Sequence, residues 1–162
     1  MNKPIGLLLD YTKSMRRELK LEFLDYFVKY DYTSFIILYG IRAYPLCELN
    51  CKRLARLDYY SIPTLDGPPE PYRAVKEAVE LINTYGLQDQ TLVLVWSAPR
   101  KPLVDIQIAF NYALNSMIDL YLIVIDPHSA RWLTKALQVI DGNKIIYVKR
   151  QLNLQKILER IS

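Results

Sequence analysis

The stretch IGLLLDYTKS, residues 5–14, decides the architecture. Apolar residues run without alternation from Ile5 to Leu9 and stop at Asp10. A run this short, bounded by polar residues, predicts a buried strand over 4–9 rather than a helix. Thr12 and Ser14 follow at alternate positions, and a helical pattern begins at Met15. This opening is expected to project Asp10 toward solvent from the strand's carboxyl end, with both hydroxyls on the same side. Three converging oxygens suit a hard divalent cation such as Mg²⁺ or Mn²⁺. A purely local reading competes: Ser14 caps the helix from Met15, and Asp10 accepts backbone N–H bonds at the positive end of the helix dipole.

Working outward, apolar residues recur at Leu19, Phe23, Tyr26, Phe27 and Tyr30, with Arg16, Arg17, Glu18, Lys20, Glu22 and Lys29 mostly off that stripe. The spacing predicts an amphipathic helix over 15–30. SFIILYG (34–40) and AYPLCEL (43–49) read as two strands joined tightly at 40–42, and 50–58 as a short helix. SIPTLDGPPEP (61–71) carries four prolines and a glycine, the composition of a stiff irregular loop. Pro71 suits the first position of the next helix, which runs to Tyr85 with Val75, Val79 and Ile82 inward. QTLVLVW (90–96) is a buried strand and SAPRKP (97–102) a second proline-bearing loop. A helix over 103–117 is expected to bury Ile106, Phe110, Leu114 and Met117. LYLIVID (120–126) is a strand, followed by a helix capped by Ser129 that contains Trp132, Leu133, Ala136 and Leu137. KIIYVK (144–149) is the last strand, and Asn153 caps a closing helix with Leu154, Ile157, Leu158 and Ile161. Strands alternating with helices, most of them apolar on both faces, specify a doubly wound α/β fold. The expected sheet is mostly parallel and six-stranded, with one antiparallel edge strand and helices on both faces. In such folds ligands sit beyond the carboxyl ends of the strands.

Composition narrows the function classes. The 162 residues are 51% hydrophobic and 23% charged, which fits one folded domain spanning the chain. A formal charge of +4 permits an acidic partner, whereas nucleic-acid binders show denser basic clusters. No apolar run reaches the roughly 18 residues of a membrane helix, and the start lacks a secretory pattern, so a cytoplasmic protein is expected. Cys47 and Cys51 form a lone C-x3-C, and His128 is the only histidine. A closed zinc site needs about four such ligands, so ordinary thiols are expected. Abundant Tyr, Ile and Leu with five glycines give an archaeal or thermophile-like composition, in which an intracellular disulfide is less improbable.

These segments together resemble the von Willebrand factor A family over essentially the full chain. LLLDYTKSM (7–15) is similar to that family's D-x-S-x-S segment at the end of its first strand. FIILYGIRAYPLCEL (35–49) is similar to its second and third strands. GPPEPYRAVKEAVELI (67–82) stands where the family has G-G-T and a helix, and TLVLVWSAPRKP (91–102) where an apolar strand ends in S/T-D-G. The resemblance implies an interaction domain with a metal-ion-dependent adhesion site, in which the cation recruits an acidic residue of a protein partner. It also implies, for members inside cells, a subunit or adaptor role in larger assemblies, from ATPase partners to transcription and repair complexes and proteasome components.

Departures from the family pattern fall on the metal site. Pro69 occupies the position of the G-G-T hydroxyl, and Ser97 or Ala98 that of the second aspartate. Asp10, Thr12 and Ser14 remain, and Thr64, Asp66, Glu70 or Ser97 are the candidate replacement ligands. One carboxylate neutralises only part of a +2 charge, so weak or absent Mg²⁺ or Mn²⁺ binding is expected. Lys13, Arg16, Arg17, Arg42, Arg100 and Lys101 fall on the same face and form a candidate rim for an acidic segment of another protein.

Two other classes compete with this reading. Asp10 after a buried first strand also resembles the nucleophile of haloacid-dehalogenase-type phosphotransferases, but Thr12 stands where they need a second aspartate. A phosphate- or nucleic-acid-binding α/β domain rests on mild positive charge and tyrosine richness alone. There is no G-x-G-x-x-G after the first strand, and an inventory with His128 as the only histidine argues against nucleophilic catalysis. Trp96 and Trp132 are expected to be core residues. The expectation is therefore a non-enzymatic interaction module.

Overall fold

A strand buried on both faces has to lie inside a sheet covered by helices on both sides. The structure, a computed structural model, describes residues 3–97, 104–125, 144–148 and 152–161, and meets that demand. Strands β1 (Ile5–Asp10), β2 (Thr33–Tyr39), β3 (Ala43–Glu48), β4 (Thr91–Trp96), β5 (Asp119–Ile125) and β6 (Ile145–Val148) form one sheet. Their order is β3-β2-β1-β4-β5-β6. Every neighbouring pair is parallel except β2 with β3, so β3 is the antiparallel edge strand.

Period-two alternation divides the central strands between two cores. Leu7 and Leu9 pack with Phe23 and Phe27 of α1 (Arg17–Lys29) and with Ile157 and Ile161 of α4 (Leu154–Ile161). Leu8 and Leu94 pack with Val75 and Val79 of α2 (Pro71–Tyr85) and with Ile106 and Ala109 of α3 (Val104–Asn115). Pro71 does begin α2, and the Asn153 side chain accepts from the Lys156 amide at 3.1 Å, capping α4 as expected.

Several local expectations are corrected. The first helix starts at Arg17, its N-cap is Arg16, and no side chain caps it, so Ser14 is not the cap. Lys20, assigned to the polar side, is buried. In α3, Ile106 is buried and Phe110 packs half-buried on the core as expected, but the inward face continues through Ala109 and Ala113, while Leu114 is 73% and Met117 94% exposed. Small alanines let α3 approach its neighbours closely, and α3 ends at Asn115, leaving Met117 beyond it at φ 57°. The 50–58 segment forms a 3-10 turn over Cys51–Arg56, followed by another over Tyr59–Ser61. Tyr59 and Tyr60 clamp the latter to α1 by donating hydroxyls to Asp25 Oδ1 at 2.5 and 2.7 Å. Cys47 and Cys51 are not free thiols: β3 and the first 3-10 turn bring their Cα atoms to 5.3 Å, within disulfide reach, and they are bonded. The helix expected around Trp132, and Ser129, Asp126 and His128, lie outside the described residues. No described helix is long and apolar enough to cross a membrane.

The α3 phase is testable by a pair of truncations. Ile106→Ala, at a site with 1% exposure, should cost about 2–5 kcal/mol in urea denaturation, whereas Leu114→Ala should stay within about 0.5 kcal/mol of the parent.

Candidate functional site at the carboxyl end of β1

The loops after β1, β2 and β4 meet at one edge of the sheet, and Asp10 is their junction. It does not project to solvent as expected; its exposure is 0%. A buried carboxylate needs a donor for each lone pair, and the neighbouring segments supply them. Oδ1 accepts from the Thr12 amide at 3.0 Å and the Thr12 hydroxyl at 2.7 Å. Oδ2 accepts from the Ser97 amide at 3.0 Å and the Ser97 hydroxyl at 2.5 Å. Thr12 Oγ1 also lies 3.3 Å from Ser14 Oγ. Because the single Thr12 hydroxyl proton is committed to Asp10, this second contact draws on the proton of Ser14. Thr12 is buried and Ser14 exposed.

The proline-rich segment lies across this junction. The Leu65 amide donates to the Tyr11 carbonyl, the Ile41 amide to the Asp66 carbonyl and the Glu70 amide to the Gly40 carbonyl, each at 2.9 Å. Gly40 permits that approach, since a Cβ there would stand 2.2 Å from the Asp66 carbonyl oxygen. Gly67 rests over Thr12, where an added Cβ would meet the threonine methyl at 3.5 Å. Pro69 is buried, whereas the Thr64 and Asp66 side chains are exposed. Glu70 faces Arg73, with Nε 3.2 Å from Oε2. Of the four candidate replacement ligands, the structure brings Ser97 alone into hydrogen-bond contact with Asp10. Of the rim, Lys13, Arg16, Arg17 and Arg42 are exposed around this edge, and Arg17 also donates to the Tyr60 carbonyl at 3.3 Å. Arg100 and Lys101 lie outside the described residues.

Three further residues shape the local field, and sequence reasoning missed them. Lys20 is 4% exposed, with its ammonium 4.9 Å from the centre of the Tyr11 ring. Burial lowers its pKa, the negative charge of Asp10 opposes that shift, and Arg17 adds to it. Tyr39 pairs with Asp10 in the β1–β2 register, is fully buried, and donates its hydroxyl to the Val95 carbonyl at 2.7 Å. Burial, with the charges of Asp10 and Asp105, raises its pKa well above the ordinary 10.0. Asp105, in the first turn of α3, accepts from the Tyr72 amide at 2.9 Å and so serves the open N-terminus of α2. Its pKa is raised chiefly by burial, against the lowering effect of that hydrogen bond. The available sequence signal was an acid near a helix start for Asp105. For Lys20 and Tyr39 it was their positions, which contribute to a junction only after folding.

Comparison with solved structures identifies the architecture. Proximal thread matrix protein 1 from the mussel byssus superposes with a TM-score of 0.73 at 12% identity, over 98% of this chain and 46% of that one. The chain thus spans just under half of that protein's length. Manganese-loaded TRAP protein of Plasmodium vivax gives 0.69 at 12% identity, over 99% and 72%. The vWF domain of the pilus tip protein Mfa5 from Porphyromonas gingivalis gives 0.59 at 11% identity, over 99% and 96%. The fold is of the von Willebrand A type. No protein-family model matches the sequence, and no curated protein matches it. The structural neighbours include metal-loaded members, with manganese in TRAP and zinc in the adhesion motif of the mussel protein. In the present chain no group of three or more His, Cys, Asp or Glu residues able to hold a metal occurs among the described residues.

The buried phenol gives a pH prediction. The folded chain keeps the Tyr39 proton at pH values where the unfolded chain releases it, so this contribution is complete below pH 10.0 and is lost as pH rises beyond it. In an alkaline absorbance titration, Tyr39 should ionise only with unfolding. Tyr39→Phe should reduce the late component by one tyrosine and cost about 0.5–1.5 kcal/mol at neutral pH.

Proposed function

We propose that this von Willebrand A-type domain is a protein-interaction module, a cytoplasmic subunit or adaptor of a larger assembly, rather than an enzyme. The observation that carries the proposal is the edge just described. Lys13, Arg16, Arg17 and Arg42 are exposed around a junction immobilised by Asp10 and the proline-rich loop. A preorganised surface loses little entropy on binding, and a cationic rim attracts an acidic segment of another protein. Glu18 and Asp66 stand exposed among these cations, so the partner segment has to match a mixed pattern rather than a uniform positive field.

The phosphotransferase alternative needs an accessible nucleophile. Against it, Asp10 is 0% exposed and both carboxylate oxygens carry two donors. Nucleic-acid binding has for support the +4 formal charge, without a dense basic cluster. The cytoplasmic assignment carries a corollary. A Cys47–Cys51 disulfide persists inside the cell in hyperthermophiles, so the proposal implies such a source, in keeping with the composition.

A polyglutamate peptide is a suitable first probe, followed by anisotropy at low and high salt. Binding should weaken as salt rises, and reversing Lys13 and Arg42 together to Glu should weaken it roughly three- to tenfold. Tighter binding of an oligonucleotide of equal charge would move the assignment to nucleic acid. Phosphatase turnover that disappears with Asp10→Asn would move it to the enzyme class.

A further inference from the structure

We propose that the adhesion-type site of this chain works without a divalent cation, the direct Asp10–Ser97 hydrogen bonds standing in place of a metal bridge between the ends of β1 and β4. The inference stands on the geometry around Asp10 and does not depend on which partner the domain binds.

A hard cation such as Mg²⁺ or Mn²⁺ takes about six oxygen ligands and relies on carboxylate charge among them. Asp10 has about four lone-pair directions, and all four face donors. Two of those donors are backbone amides, which cannot turn away as a hydroxyl can. A cation on Oδ2 would displace the Ser97 amide and leave it without an acceptor at a residue only 7% exposed. Leaving such a donor unpaired opposes metal entry. Thr12 is held as well: its hydroxyl proton serves Oδ1, the Ser14 hydroxyl faces its oxygen at 3.3 Å, and Gly67 lies across its methyl group.

Among the described residues, no second carboxylate stands free beside Asp10 to balance a +2 charge, since Asp105 is engaged by the Tyr72 amide. Glu70 is engaged with Arg73, and the Asp66 carboxylate is exposed while its backbone carbonyl faces the junction. At the position where the family pattern calls for a hydroxyl, Pro69 is buried and has no side-chain oxygen to give. A positive charge is already present inside the fold. The Lys20 ammonium is near enough for the charge of Asp10 to strengthen its hold on its proton, and an entering cation would be repelled by it. Ser97 therefore has a positive role. At one of the two positions, 97 and 98, that match the aspartate of the pattern, it donates two hydrogen bonds to Asp10 and joins the ends of β1 and β4.

The experiment uses the full chain with its disulfide intact and Mn²⁺ alone as probe. Electron paramagnetic resonance of free Mn²⁺ should show no saturable site up to millimolar metal. The melting temperature should be the same with Mn²⁺ and with EDTA. Asp10→Asn should lower the melting temperature by roughly 5 °C or more, because the new amide group faces the Ser97 donors. One-to-one Mn²⁺ binding that Asp10→Asn abolishes would overturn the inference. So would a parent stabilised by Mn²⁺ alongside an Asp10→Asn variant as stable as the metal-free parent. If Asp10→Asn fails to fold, the parent's Mn²⁺ titration decides alone. Polyglutamate binding that EDTA abolishes would reject the inference while leaving the interaction module standing, and binding indifferent to EDTA supports both.

Discussion

The carboxylate of Asp10 receives two donors from Thr12, two residues on, and two from Ser97, 87 residues on, and much of this edge of the sheet depends on that knot. A carboxylate at 0% exposure is tolerated only if its lone pairs are satisfied, so both segments have to adopt the conformations that satisfy them. The turn after β1 is thereby closed on itself. The chain leaving β4 is drawn to the end of β1, and Tyr39 reinforces the same corner from β2 through the Val95 carbonyl. The proline-rich segment then docks by backbone hydrogen bonds to Tyr11, Gly40 and Ile41, an approach that any side chain at position 40 would obstruct.

This construction bears on what the edge can do. Its polar interior is spent on holding loops together, and its exposed part is a set of long cationic side chains with acidic residues interspersed. A catalytic carboxylate has to be accessible to substrate, whereas a docking surface has to be rigid and chemically patterned. In the present edge the Asp10 carboxylate is buried and fully hydrogen-bonded, and charged side chains of both signs are exposed around it. The neighbouring Lys20 ammonium, set over the Tyr11 ring, balances charge in the interior, where a free carboxylate would be costly.

Much of the fold was legible because strands buried on both faces are continuous apolar runs. Ile5–Leu9, Thr91–Trp96 and Leu120–Ile125 could be recognised without knowing their neighbours. Pro71 and Asn153 act through local backbone chemistry, and both serve as their residue types suggest. Legibility failed where a helix's burial depends on what lies beside it. Leu114 and Met117 fit a helical stripe, yet α3 turns Ala109 and Ala113 inward, because close helix packing favours small residues that a hydrophobicity pattern undervalues. Lys20 was misplaced for the opposite reason: its long apolar stem can be buried while the ammonium finds an aromatic face. The C-x3-C spacing was silent on pairing, since the pairing depends on how β3 runs into the 3-10 turn.

At the site, the sequence by itself determined that Asp10, Thr12 and Ser14 follow the first strand, that Pro69 offers no hydroxyl, and that position 97 lacks a carboxylate. It also determined the alternation of elements that places these residues at the carboxyl end of β1 in an α/β sheet, an arrangement shared with von Willebrand A structures at 11 to 12% identity. Only the tertiary structure decided that Asp10 points inward, that Ser97 is its partner, and that Glu70 turns to Arg73. The physical reason is range. Periodicity, capping and turn chemistry act within a few residues of chain, whereas a hydrogen bond across 87 residues exists only after β1 and β4 have paired.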